Sequence, residues 1–286
     1  MNPIQCELVL DCVQKIGLFQ FTMNIVRYYP IAGLAFLFFY VWKKETFHRF
    51  RIQSIYPKIE KVKNEFKQSA VTLFVFTIIA TTNIVSGKMG LIPNNVYFGD
   101  YSSHGGIPYM ILSFLLITVW HETWFYWAHR WMHHKKVYSR VHSVHHQSVN
   151  PSPIAAYHFH FFEAILEGVY IVFFVLVVPI HFHVLLLHTV YAMVMNIWWH
   201  LGYEFLPKSW VRHPILKWVN TSTHHNLHHQ KFHGNYSLYF NFWDRIMGTN
   251  FPYYEDYFES LADKRNATAA IKPEASPSWS ATEAEG

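Results

Sequence analysis

Charge is scarce in this 286-residue chain. Asp, Glu, Lys and Arg together make up 14% of it, against about 25% in an average soluble protein. That shortage argues against a water-soluble globule. Cysteine is nearly missing as well. Cys6 and Cys12 are too few for a disulfide framework, and neither neighbours a histidine cluster, so a thiolate zinc finger is excluded. The net charge of +5 is gathered locally rather than spread as a nucleic-acid footprint. No RRM, KH, helix-turn-helix or zinc-finger pattern appears, so no nucleic-acid partner is expected. What the chain has instead is 51% hydrophobic residues, 19% aromatics and 21 histidines.

The apolar residues fall into long runs. Residues 25–42 make a first probable span, since about 20 apolar residues cross a bilayer core of about 30 Å. Residues 43–68 carry eight Lys/Arg against three Glu, which places them in the cytosol by the positive-inside rule. Residues 69–87 return through the membrane, and 88–106, with Pro93, Asn94, Asn95, Gly105 and Gly106, form a loop on the far side. Residues 107–128 come back. Two further apolar runs, 164–180 and 183–199, are separated by Pro179 and form a hairpin or one long bent span. Residues 1–24 show no charged segment followed by a cleavage site, and no signal peptide is expected. The expected fold is an all-α integral membrane bundle of about three to four spans plus a re-entrant hairpin, topped by a cytosolic histidine-rich helical cap. Its units are an N-terminal transmembrane region (1–106), a histidine-bearing domain (107–258) and a disordered tail (259–286), polar and small from Ala262 onward.

The histidines are patterned. His121 to His146 holds seven of them, and Thr221 to His229 repeats the chemistry. His129 and His133 are i and i+4. His142, His145 and His146 are i, i+3 and i+4, as are His225, His228 and His229. At this histidine frequency, chance supplies roughly 0.1 HxxHH matches in the whole chain, and two are present. On a helix these offsets stack side chains on one face, so each box is expected to present two or three imidazoles to a single point. Imidazole is the commonest protein ligand for transition metals. One zinc takes four ligands; eight imidazoles point to two metals. Neutral imidazoles leave a metal pair strongly positive, which suits an iron pair that binds and reduces dioxygen. Carboxylate-bridged di-iron bundles use paired Glu-x-x-His, a pattern this chain lacks. Polar groups cannot face hydrocarbon unpaired, so the clusters must lie beyond the lipid or inside a protein cavity.

HRWMHH, HSVHH and HHNLHH, in that order and followed by GNY and FWDRIMGT, resemble the fatty acid hydroxylase/sterol desaturase superfamily, in its sterol C5-desaturase-like branch, over about residues 108–252. The resemblance implies an O2-dependent, membrane-bound enzyme with two iron ions, which zinc can replace in purified protein. It implies hydroxylation or desaturation of a lipid C–H bond, with electrons from NAD(P)H relayed by cytochrome b5 or a ferredoxin. The implied membrane is the bacterial inner membrane or the endoplasmic reticulum, with the active site facing the cytosol. The implied metal ligands are His129, His133 or His134, His142, His145, His146, His200, His225, His228 and His229. Helical geometry favours His133, while family spacing keeps His134 open. Glu204 stands where some members carry another histidine, and reads as a ligand, a partner of a ligand or a structural group. Glu122, Glu204 and Asp244 are candidate acceptors for the second N–H of a ligating ring. His160 reads as packing or as support for a ligand, and Phe161 departs from the usual proline of its motif. Arg130, Arg140 and Lys217 read as a solvated face. The competing readings are a histidine-rich membrane metal transporter and a metal-stabilised scaffold without turnover.

Overall fold

The computed structural model describes residues 9–93 and 95–270. Helix α1 (Val9–Phe36) passes into a π-helical stretch (Leu37–Trp42), giving one 34-residue rod. It starts well before residue 25 because Lys15 and Asp11, one helical turn apart, pair at 2.9 Å and so neutralise each other on the exposed face. After a short α2 (Lys44–Phe47), helix α3 (Ile59–Lys88) runs back against α1. Tyr28, Ala32, Val62 and Leu73 share their core with Ile154 and Ala156 of the later chain and with Met193 and Ile197. The next strand, β1 (Val96–Tyr97), precedes α4 (Gly106–Met132), which descends to the first histidines.

Beyond α5 (Tyr138–Val141) comes the hairpin. Its ascending limb is α6 (Phe161–Gly168) and α7 (Tyr170–Val177); it turns at Pro179 and β2 (Ile180–His181), and α8 (Phe182–Trp199) descends. Both α7 and α8 pack on α4, through Ile117, Tyr170, Phe174, Ile180 and Val184. Parallel pairing of Val96 with Ile180 and Tyr97 with His181 ties the turn to the far-side loop. The two apolar runs are therefore a hairpin and not one bent span. Among the described residues four helices are long and apolar enough to cross a membrane: Val9–Trp42, Ile59–Lys88, Ser103–Met132 and Phe182–Trp199. Their outward faces leave Val26, Leu34, Phe74 and Leu115 exposed, an apolar belt that only lipid covers favourably.

Gly168 sits where α6 crosses α3. A Cβ there would lie 2.7 Å from Ile79 Cδ1 and 3.0 Å from Phe76 Cδ1. Overpacking of this kind costs about 1–3 kcal/mol, so Gly168→Val should lower the melting temperature of the detergent-solubilised protein; an unchanged melting curve would show that the two helices separate freely.

The cap is built from α9 (Ser222–Lys231), α10 (Phe242–Ile246) and α11 (Tyr254–Ala270). One expectation is corrected here. Residues 259–270 are helical, and Tyr254, Phe258 and Ala262, spaced i, i+4 and i+8, form a buried stripe. Arg265 adds hydrogen bonds to the carbonyls of Glu204 (2.8 Å) and Leu206 (3.0 Å). The polar composition from Ala262 onward hid the last position of that stripe, Ala262, and one tethering cation, Arg265. Residues 271–286 of the expected tail lie outside the described residues.

Candidate metal centre

The imidazoles gather into two groups. His129, His133, His142, His146 and His228 form one; His145, His200, His225 and His229 form the other. Within each group the candidate ligand atoms all lie within 4.8 Å of one another. Neither HxxHH box points to a single place. The i and i+4 members, His142 with His146 and His225 with His229, go to one group each, while the i+3 members, His145 and His228, go to the opposite group. Positions i+3 and i+4 lie about 100° apart around a helix, so one turn of the helix Ser222–Lys231 can serve two adjacent centres; His142–His146, expected on a helix, instead reaches the same division through a turn and a 3-10 segment after Val141. His146 of one group and His229 of the other bring the groups to a ring separation of 5.0 Å.

The Nε2 atoms converge. In the first group His146 Nε2 lies 3.2 Å from that of His133, 3.1 Å from that of His142 and 3.1 Å from that of His228, and His129 and His142 are 3.0 Å apart. In the second, His200 Nε2 lies 3.4 Å from His145, 3.1 Å from His225 and 3.2 Å from His229. Bond lengths of about 2.0–2.1 Å to a shared metal put neighbouring ligand nitrogens roughly 3.0–3.4 Å apart, depending on geometry. The other ring nitrogens fix the tautomer. Nδ1–H donates to a carbonyl in His129 (to Tyr236, 2.8 Å), His228 (to Gly234, 2.8 Å) and His200 (to Asn196, 2.8 Å). His142 Nδ1 sits 2.8 Å from Glu163 Oε1. Nε2 is then an unprotonated lone pair in His129, His200 and His228, and lone pairs aimed at one another are stable only around a cation. Burial, and then the neighbouring rings, push His142, His145, His146, His225, His228 and His229 well below the ordinary imidazole range; burial takes His200 down to about 4. Neutral imidazole is the form that binds metal. The donor set, nine imidazoles and no thiolate, fits a pair of borderline transition-metal ions.

Local sequence explains the placement. His129 and His133 end α4, and His200 caps α8. Helix α9 is polar yet wholly buried from Ser222 to His229. Thr221 Oγ1 accepts from His224 N, and Glu204 Oε2 accepts from Thr223 N (3.0 Å) and Oγ1 (2.8 Å). Such N-terminal caps satisfy donors that the helix itself leaves unpaired.

Several expected roles shift. His134 is exposed and lies outside both groups; its Nδ1 accepts from Lys136 N, because it stands one residue, a quarter turn, past His133. Glu122, Glu204 and Asp244 do not meet a ligating ring. Glu122 accepts from the backbone of Leu238 (3.1 Å), Tyr239 (2.5 Å) and Phe240 (3.1 Å). Asp244 accepts from Tyr236 N and Ser237 N, each at 2.9 Å, and its other neighbour, His224, belongs to neither group. Glu204 is the cap just described. His160 caps α6, with Nδ1 accepting from Phe162 N. The residue the reading passed over is Glu163, three positions on, whose acid in the same motif was the available signal. Removing that acceptor should act through the metal, since partners of ligating rings are worth about 10–100-fold in affinity. Glu163→Leu should therefore weaken metal retention in competition with a chelator by that order, with Glu163→Gln falling between it and wild type. Equal retention in all three would place Glu163 outside the metal's support.

Fold and site together define a membrane-embedded protein whose histidines converge on two adjoining metal-type sites at one end of its spans. The fatty acid hydroxylase family model matches residues 114–249. The chain is 26% identical to a Delta(7)-sterol 5(6)-desaturase of Gibberella zeae over 87% of its own length and 64% of that protein's. It is 36% identical to methylsterol monooxygenase 1 of Rattus norvegicus over 62% of each chain, and 37% identical to the lathosterol oxidase of Homo sapiens over 62% of this chain and 58% of that one. Each match thus spans less than two thirds of the relative. No solved structure matches significantly. These matches make the chain similar to the fatty acid hydroxylase/sterol desaturase superfamily, on its sterol desaturase-like side.

Proposed function

We propose that this protein is an O2-dependent, membrane-bound di-iron oxidoreductase that hydroxylates or desaturates a lipid C–H bond, with sterols as the first class to test. The observation that carries the reading is the convergence of nine imidazoles on two adjoining points. His129, His133, His142, His146 and His228 would hold one iron, and His145, His200, His225 and His229 the other. Iron bound there would supply the oxidising power for an unactivated C–H bond, using O2 and electrons from NAD(P)H through a protein carrier. The chain's own part is to hold, orient and keep dry. The Tyr236, Gly234 and Asn196 carbonyls aim three rings. A small cavity against the His129, His142, His145, His200 and His225 rings is walled by Phe125 and Phe159 and bears Glu163, Glu167 and Asn196. Sterol substrates are suggested by the relatives, a Delta(7)-sterol 5(6)-desaturase, a methylsterol monooxygenase and a lathosterol oxidase.

A cytosolic active site is supported by the basic loop. Lys61 Nζ donates to the Gln147 carbonyl, Gln53 Nε2 to the Val149 carbonyl, and Arg51 to Asn150 Oδ1, so the segment carrying the Lys/Arg excess packs on the histidine cap. The histidine groups cluster at one end of the spans and do not line a path across them, which disfavours transport. The test is lipid profiling by mass spectrometry of cells with and without the gene, together with iron analysis of the purified chain. An oxidised sterol or acyl lipid that vanishes with the gene, and about two irons per chain, are expected. An unchanged lipidome under aerobic growth would overturn the reading.

A further inference from the structure

The nine imidazoles are not equally enclosed. Eight are buried and only His133 is partly exposed. Around it the chain runs without an acid. Residues 129–147 carry Arg130, Lys135, Lys136 and Arg140 and no Asp or Glu; residues 222–236 carry Lys231 and none. Lys135, Lys136, Arg140 and Lys231 are exposed, and none makes an ion pair among the described residues. Some exposed cations elsewhere pair, Lys63 with Glu60, Lys208 with Asp263 and Arg212 with Asp256 and Glu259, while Lys58, Lys61 and Lys67 of the basic loop make no ion pair among the described residues. The two cationic segments meet at the site, because His133 lies against the Phe232 backbone. Phe232, 39% exposed and held at φ 63°, sets its ring 5.1 Å from His146. Tyr138 lies 5.5 Å from His133 and 5.8 Å from His146.

We infer that this rim is the docking face of an acidic protein, the one-electron carrier of the reading above, on which the inference rests. The carrier's electron enters on the side of the five-histidine group, past the His133 edge, while the four-histidine group stays closed from this surface. Unpaired like charges repel each other unless a partner of opposite sign covers them, and complementary charge chiefly sets association rate and orientation. An anionic membrane would meet the same charges, but the cations here stand in the two segments that meet at the single ligand ring reaching the surface, and residues 43–68 already carry the chain's larger basic excess.

The test places the full chain in nanodiscs of neutral phosphatidylcholine and titrates the soluble haem domain of cytochrome b5, an acidic one-electron carrier, at low and high salt. Wild type should bind it in a salt-sensitive way. The triple change Lys135→Glu, Lys136→Glu, Lys231→Glu should weaken binding by about tenfold or more at low salt. It should leave metal content and the KM for lipid unchanged, and the corresponding Lys→Arg triple should restore affinity. Lys208→Glu with Lys264→Glu should bind like wild type. The proposal is overturned if wild type binds no carrier, if the control pair loses as much, or if the triple change abolishes binding to phosphatidylserine vesicles while carrier affinity stays the same. An active enzyme indifferent to the triple change would sink the docking face alone; a chain that binds the carrier yet oxidises no lipid would sink the enzymatic reading alone.

Discussion

His146→Ala should strip one metal from the protein and lower lipid oxidation by about three orders of magnitude or more, beyond the 10–100-fold typical of groups that merely support a ligand. The reason is position. His146 Nε2 is within 3.1–3.2 Å of His133, His142 and His228, so its loss opens the middle of the five-histidine group. The ring also lies 5.0 Å from His229 and 5.6 Å from His145, which places it at the seam between the groups. The four remaining rings of the first group would still converge, but without the nitrogen that three of their contacts share. The measurement is metal per chain by mass spectrometry alongside product formation. About one iron remaining in a chain with an unchanged helical spectrum is the expected result. Two irons and wild-type turnover would remove His146 from the site, and with it the five-plus-four partition.

The histidine periodicity was legible because ligand geometry and helix geometry share a period: rings one turn apart can share a metal. Spans were legible for a similar reason, since lipid leaves only long apolar helices possible. What the spacing did not reveal is how two HxxHH boxes divide between two points. That depends on where α4, α8 and α9 converge, which no local pattern encodes. Buried carboxylates were harder still. Glu122, Glu204 and Asp244 look in sequence like partners for imidazole, yet all three accept from backbone N–H groups. A ring needs only a carbonyl to set its tautomer, and Tyr236, Gly234 and Asn196 supply one each. Backbone acceptors have no residue signature, so sequence reasoning assigned the acids to the wrong donors. The tail misled because Ala262 continues a stripe that Tyr254 and Phe258 begin before it, and Arg265 ties the segment to the Glu204 and Leu206 carbonyls.

Glu122→Leu should cost the protein most of its folded population, although no metal ligand is touched. Glu122 is fully buried and accepts from three successive backbone N–H groups, those of Leu238, Tyr239 and Phe240. A leucine leaves those donors without a partner in a place water does not reach. Each buried unsatisfied donor costs about 1–3 kcal/mol, so the three together approach the whole stability of a typical domain, about 5–15 kcal/mol. The damage has a direction. Residues 236–240 are clamped from one side by Glu122 and from the other by Asp244, and the Tyr236 carbonyl between them receives the His129 Nδ1–H. Loosening that segment frees His129 before it disturbs His200 or His225. In Glu122→Gln, which keeps one acceptor oxygen, the five-histidine group should therefore lose its metal to a chelator faster than the four-histidine group, giving biphasic release where wild type gives a single slow phase. Pulse proteolysis reads the first effect and metal release the second. Glu122→Leu protein as resistant as wild type, with full metal, would mean that the clamp carries no weight and that His129 is held by its own helix alone.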